Sequence, residues 1–133
     1  MTNNYKQYYK HFFQLTTLEE TIINECYEGY CRLTYHIKKG ALNSLNSMHG
    51  ASLFYLADIA AIISCETYNV ICVTQSSNIN FFKSSSEGEL TIIAKESYKG
   101  KKNYVANIEF ILDGKETIAQ GTFNLFILED LNL

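Results

Sequence analysis

Residues 49–58 read HGASLFYLAD, an apolar run that opens on a His-Gly pair and closes on a carboxylate. Asp58 is the sole charged residue between Gly50 and Cys65. At helical spacing its neighbours are Phe54, Tyr55, Ala61 and Ile62, all apolar or aromatic. An unpaired carboxylate there costs several kcal/mol or takes up a proton, so something must compensate it. One reading makes Asp58 structural, lying on a narrow solvent stripe or accepting hydrogen bonds across a subunit contact. The other makes it a poorly hydrated general base or nucleophile. Gly50 bears on the choice. In the first turn of a helix its N–H has no intrahelical acceptor, and the helix dipole favours negative charge there, as an oxyanion requires. Eight residues of helix separate Gly50 from Asp58 by about 12 Å, too far for both to reach one carbonyl from the same chain. If they cooperate, a twofold interface must bring Gly50 of one copy to Asp58 of another.

The elements that would carry these residues follow from pattern. Tyr5 to Leu15 has helical apolar spacing, and Thr21 to Tyr27 and Tyr30 to Ile37 read as strands of a hairpin around Glu28-Gly29. Lys38 to Ser47 is a polar connection. Met48 to Cys65 predicts one buried helix, with Asn46 or Ser47 as its N-cap. Val70 to Phe82, Glu89 to Tyr98, Asn103 to Leu112 and Thr117 to Leu128 predict four strands in a meander, joined at SSSEG (84–88), KGKK (99–102) and Asp113-Gly114. Tyr104, Ala106, Ile108 and Phe110 fall on one face of their strand, while Asn107 and Glu109 fall on the other. The economical arrangement is α+β, an antiparallel sheet wrapped around one long central helix. No linker or repeat divides residues 1–133, so a single domain is expected.

Composition excludes several partners. With 133 residues, a net charge of −3 and 19% charged side chains, neither nucleic acid nor an anionic membrane is favoured. No signal-peptide core or spanning stretch is visible, which reads as a cytoplasmic protein without membrane insertion. Cys26, Cys31, Cys65 and Cys72 form no CxxC pair and no spacing with histidine that suits a metal. Cys26 and Cys31 would face each other across the first hairpin, where a disulfide is geometrically conceivable, but reduced thiols fit the inferred compartment better.

The motif Asn43-Ser-Leu-Asn46-Ser-Met-His49-Gly50-Ala51 followed by Asp58 resembles the PaaI-like acyl-CoA thioesterases of the hotdog fold. So do LFYLAD (53–58), VTQSSNINFFKS (73–84), YKGKKN (98–103) and IAQGTF (118–123). The resemblance implies a homodimer, often paired into a homotetramer, and hydrolysis of an acyl-CoA thioester with coenzyme A as part of the substrate and no separate cofactor or metal. Asp58 would be base or nucleophile, and the Gly50 N–H the oxyanion donor. Asn43 would position substrate or water, Thr74 would orient the attacking water, and His49 would support the oxyanion loop unless it merely starts the helix. Coenzyme A would lie along the strand end at Ser76, Phe81 and Phe82, the following Lys83 and Ser84, and the turn at Tyr98, Lys99, Gly100, Lys101 and Lys102, although a lysine-rich hairpin can also be simply solvated.

Two positions depart from the pattern. Asn46 replaces a glycine, tolerable in a left-handed conformation, and Ala51 replaces the second glycine of the motif. The latter leaves open a non-catalytic acyl-CoA-binding or sensing module; a hotdog hydratase is disfavoured because the chain has no proline. His11 and His36 have no partner pattern for a metal or triad and read as surface or structural residues.

Overall fold

The computed structural model describes residue 18 and residues 20–132; the helix expected at Tyr5 to Leu15, with His11, lies outside them. The chain forms strand β1 (Ile22–Tyr27), β2 (Tyr30–His36), a 3-10 turn (Lys39–Ala41), helix α1 (Gly50–Glu66), then β3 (Val70–Phe81), β4 (Glu89–Lys99), β5 (Asn103–Leu112) and β6 (Glu116–Asp130). All six strands make one antiparallel sheet in the order β1-β2-β4-β5-β6-β3, and α1 touches every one of them. The chain therefore has the α+β hotdog architecture that the sequence predicts. No described helix is long and apolar enough to cross a membrane.

The meander is shorter than expected. Of the four strands after α1, only β4, β5 and β6 lie side by side in sequence order; β3 sits at the far edge, paired with β6 from Val70↔Asp130 to Phe81↔Ala119. Residues 82–88 consequently cross the sheet instead of making a tight turn. Periodicity marks a segment as a strand, but adjacency of consecutive strands is a tendency, and here the chain leaves it. The hairpin at Asp113-Gly114 is as expected, with φ of 52° and 67° at its two central residues, the combination of a type I′ turn.

Helix α1 is apolar nearly all round, as a helix enclosed by its own sheet must be. Leu53, Leu56, Ala57, Ile59, Ala60, Ala61 and Ile63 are buried, against sheet residues such as Leu33, Ile92, Phe110, Phe123 and Leu125. One stripe is less covered: Ala51, Phe54, Tyr55, Asp58, Ile62 and Glu66. Two polar groups inside the core are satisfied, since the Tyr104 hydroxyl donates to Ser64 Oγ at 3.1 Å and Ser64 donates to the Ala61 carbonyl. At the sheet's edge Gly121 lets β3 approach β6: a Cβ there would stand 2.5 Å from the Asn78 carbonyl oxygen.

The start of α1 differs from the expected capping. His49 is the N-cap and makes no side-chain capping bond. The loop before it is ordered otherwise. Asn43 Oδ1 accepts the N–H groups of Leu45 at 2.9 Å and Ser47 at 3.1 Å, an Asx-type turn, while Asn46 takes φ 59°. Backbone bonds from Met48 to Ser85 and from His49 to Ala41 then hold the helix start between two other segments.

Candidate active site

Asp58 lies at the middle of α1 on the less covered stripe, half-buried. Thr74 of β3 faces it, and the Thr74 hydroxyl donates to Asp58 Oδ1. Burial pushes the carboxyl pKa above its ordinary value, and the Thr74 bond opposes that rise. One turn earlier Tyr55 holds its phenolic proton more tightly than usual, first through burial and then through the charge on Asp58. The site therefore offers a carboxylate with a fixed orientation, poor hydration and raised basicity. Those are the properties of a base that removes a proton from water, or of a carboxylate that attacks directly.

Gly50 is the first residue of α1, at the other end of the exposed stripe. The Phe81 ring stands beside it, 3.7 Å from where a Gly50 Cβ would be. Together with Asn43, Met48, Leu53 and Phe82 they line a cleft of about 470 Å³ that continues past Lys83 and Ser84. A carbonyl placed in this cleft would meet the first-turn amides of α1. His49 is exposed beside them.

Of the residues singled out from the sequence, the structure joins Asp58 to Thr74 and gathers Gly50, Asn43, Phe81, Phe82, Lys83 and Ser84 at one cleft. Asn43 spends its carboxamide oxygen on the loop. Lys83 pairs with Glu116 at 2.9 Å, and the Ser76 hydroxyl accepts from Asn124 Nδ2 at 3.0 Å, away from Asp58. His36 faces Glu89 at the surface.

The turn at 98–102 lies elsewhere. Lys99 sits over the Tyr68 ring at 4.9 Å, and Tyr98 packs on Gly100. Lys99, Lys101 and Lys102 line a second groove of about 760 Å³, together with Val70, Glu129 and Asp130. Along β6 the two regions are marked by Ala119, opposite Phe81, and Phe126, opposite Asn103. Seven residues of strand put them about 23 Å apart. Within one chain, then, the two expected coenzyme A surfaces do not form a continuous site.

One acid was missed. Glu66 follows Asp58 by eight residues on the same stripe, and its carboxylate accepts the Cys72 N–H at 3.4 Å. Burial raises its pKa to about 7, against the pull of that bond. The repeat of an acid two turns along one helix face is the signal that could have revealed it.

The model of the Thioesterase superfamily matches residues 45–119, the stretch that holds Gly50, Asp58, Thr74, Phe81 and Phe82. The chain belongs to this superfamily. Over 93 residues it is 31% identical to the acyl-coenzyme A thioesterase PaaI of Escherichia coli (strain K12), an alignment covering 69% of this chain and 66% of that one. The solved structure of the E. coli PaaI protein superposes with a TM-score of 0.87 at 25% identity, covering 96% of this chain and 92% of the other. A hypothetical thioesterase protein from Streptococcus pneumoniae TIGR4, crystallised with coenzyme A, has the same fold at 23% identity, with a TM-score of 0.82 and coverage of 84% and 91%. Membership in the superfamily makes thioester hydrolysis the class of chemistry. In this domain of the superfamily Gly50 and the Asp58 carboxylate lie at separate points of one helix.

Proposed function

We propose that the protein hydrolyses an acyl-CoA thioester to a free carboxylic acid and coenzyme A, in a site built from two copies of the chain. The observation that carries this reading is the placement of Asp58 and Thr74 at mid-helix while Gly50 and Phe81 stand at the helix start. β3 supports the shared site. It is a twelve-residue edge strand with one neighbour among the described strands, and it leaves Ile71, Val73 and Phe81 exposed. Such an edge is a template for pairing with a second copy. Antiparallel pairing about its middle carries the Asp58–Thr74 region of each copy toward the Gly50–Phe81 end of the other. The same twofold brings the lysine turn of one copy toward the aromatic cleft of its partner, which would join the two separated coenzyme A surfaces. That E. coli PaaI is an acyl-coenzyme A thioesterase, and that the S. pneumoniae protein holds coenzyme A, fit this substrate class.

In the mechanism, the thioester carbonyl oxygen lies against the Gly50 N–H, whose loss is worth roughly 10²–10³ in rate at such sites. Asp58 of the other copy, oriented by Thr74, either takes a proton from the attacking water or attacks the carbonyl itself. Collapse of the tetrahedral species expels the coenzyme A thiolate, and on the second route water then hydrolyses the acyl–Asp58 anhydride to release the acid and restore the carboxylate.

Mixing two inactive variants tests the arrangement. Gly50→Pro deletes the donor N–H at a helix position where proline is tolerated; His49, at φ −59° and ψ 133°, already has the backbone that precedes proline. Paired with Asp58→Asn, it should recover a fraction of wild-type thiol release, because each heterodimer holds one intact site. No recovery despite demonstrated subunit exchange overturns the shared site. Tight acyl-CoA binding with no thiol release by wild type would instead make the protein a binding module.

A further inference from the structure

All four cysteines lie in two neighbouring pairs. The Sγ atoms of Cys26 and Cys31 are 3.3 Å apart; Cys65 lies at the end of α1 and its neighbour Cys72 at the start of β3, where the Cys72 thiol donates to the Ile62 carbonyl and the Glu66 carboxylate at 3.9 Å each. We propose that Cys26 and Cys31 are a reversible dithiol–disulfide couple, an oxidation site that staples the β1–β2 hairpin.

The geometry is that of a cross-strand pair one step from bonding. Cys26 and Cys31 are direct register partners, next to the Tyr27↔Tyr30 pair that closes on Glu28-Gly29. Directly opposed antiparallel residues have Cα separations of roughly 4.5–5.5 Å, inside the range that a disulfide spans. A bond of about 2.05 Å requires each sulfur to move by only about 0.6 Å. The two thiols also differ in reactivity. Cys26 is half-buried on the edge strand, whereas Cys31 is buried, and burial together with the Cys26 thiol makes its proton harder to remove. Cys26 is therefore the attacking thiol and Cys31 the resolving one.

With hydrogen peroxide as oxidant the chemistry balances. The Cys26 thiolate attacks one peroxide oxygen, the O–O bond breaks, and hydroxide departs and takes up the proton that the Cys26 thiol had released, giving water and a sulfenic acid on Cys26. Cys31 sulfur then attacks Cys26 sulfur, the S–O bond breaks, and the departing hydroxide takes the Cys31 proton. One peroxide is reduced to two waters as two thiols become a disulfide, and an external dithiol reverses the change.

The ring closed by this bond holds only four intervening residues, so it stabilises the whole fold less than a bond closing a long loop would, and its constraint is local. The locality matters because the hairpin turn is an anchor: the Gly29 N–H donates to Thr67 Oγ1 at 2.9 Å at the end of α1, and its carbonyl accepts from Glu96 at 2.8 Å. Oxidation would freeze the edge strand that holds this anchor. Cys65 and Cys72, 0% and 6% exposed, serve as an internal control.

The test uses the whole chain. After graded peroxide, alkylation with iodoacetamide and tryptic digestion, residues 11–32 report on Cys26 and Cys31, and residues 40–83 on Cys65 and Cys72. The expected result is that the 11–32 peptide becomes lighter by two hydrogens and loses both alkylations. Disulfide there should exceed that in 40–83 on the order of tenfold, with full reversal by dithiothreitol. In a Cys31→Ser variant, Cys26 should accumulate as a sulfenic acid that dimedone captures. The proposal is overturned if both cysteines stay alkylatable in peroxide-treated folded protein. It is equally overturned if Cys26 oxidises to sulfinic acid or crosslinks to a second chain while Cys31 remains a thiol.

Discussion

Replacing Asp58 with Asn separates a reactive carboxylate from a structural one, because the two roles predict opposite effects on stability and activity. The Asn carboxamide has nearly the same shape and still presents an oxygen to the Thr74 hydroxyl, so the contact to β3 survives and only the charge is lost. Loss of a general base typically costs 10²–10⁴ in rate, about 2.7–5.5 kcal/mol of barrier. Stability should move the other way. Burial raises the Asp58 pKa in the native state, so the folded protein binds that proton more tightly than the unfolded chain. Native stability therefore falls as pH rises above the ordinary carboxylate range of about 4, and at neutral pH the full desolvation penalty is present. Asn removes that penalty, and the variant should melt at the same temperature as wild type or higher at pH 7, with the gain lost at acid pH. Thiol release from a panel of short-chain, long-chain and aryl acyl-CoA substrates measures the activity, and calorimetry across pH measures the stability. A folded Asp58→Asn protein that keeps turnover within about tenfold of wild type, or that melts lower at neutral pH, refutes the assignment.

Further outcomes follow from the same geometry. Thr74→Ala removes the donor that opposes the rise in the Asp58 pKa, so the acid limb of the kcat/KM profile should shift to higher pH, with Thr74→Ser restoring it; an unmoved limb would mean the hydroxyl does not set the carboxylate. Because burial holds the Glu66 pKa at about 7, stability contributed around this residue should decline as pH rises from about 4.5 through about 7, and Glu66→Gln should flatten that part of the melting-temperature profile, whereas an unchanged slope would reject the coupling. Gly121→Ala forces a methyl onto the Asn78 carbonyl and Ile79, and should destabilise by about 1–3 kcal/mol in urea titration while also lowering turnover by displacing β3; wild-type values of both would show that the strands yield freely.

Much of this was legible in the amino-acid sequence because local pattern and chemistry coincide there. The alternation of Tyr104, Ala106, Ile108 and Phe110 against Asn107 and Glu109 follows directly from burial on one face of a strand. Asp58 and Thr74 could be named as partners only through the family resemblance, since sixteen residues separate them and no local rule joins them. Long-range order was the illegible part. Nothing in 82–88 says that the chain passes to the other side of the sheet, because a crossing and a tight turn draw on the same serines and glycine. Capping was misjudged for a related reason: the bonds that secure the start of α1 come from Ser85 and Ala41, remote in sequence, so neither Asn46 nor Ser47 is needed as a cap. Glu66 escaped notice because it stands at the edge of the apolar run, where a carboxylate ordinarily reaches water.

The far-edge position of β3 also sets an order of events for a chain emerging from the ribosome. β3 is made before β4, β5 and β6, yet its sole partner among the described strands is the last of them, and Val70 waits for Asp130. Closing contacts of such high sequence separation is slow, so a completed helix and half-built sheet would exist for a time with an apolar edge strand unsheltered. Thr74 reaches Asp58 in a supported frame only when the C-terminal strand arrives. Loss of β6 would thus take away the frame that holds Thr74 against Asp58 without altering either residue.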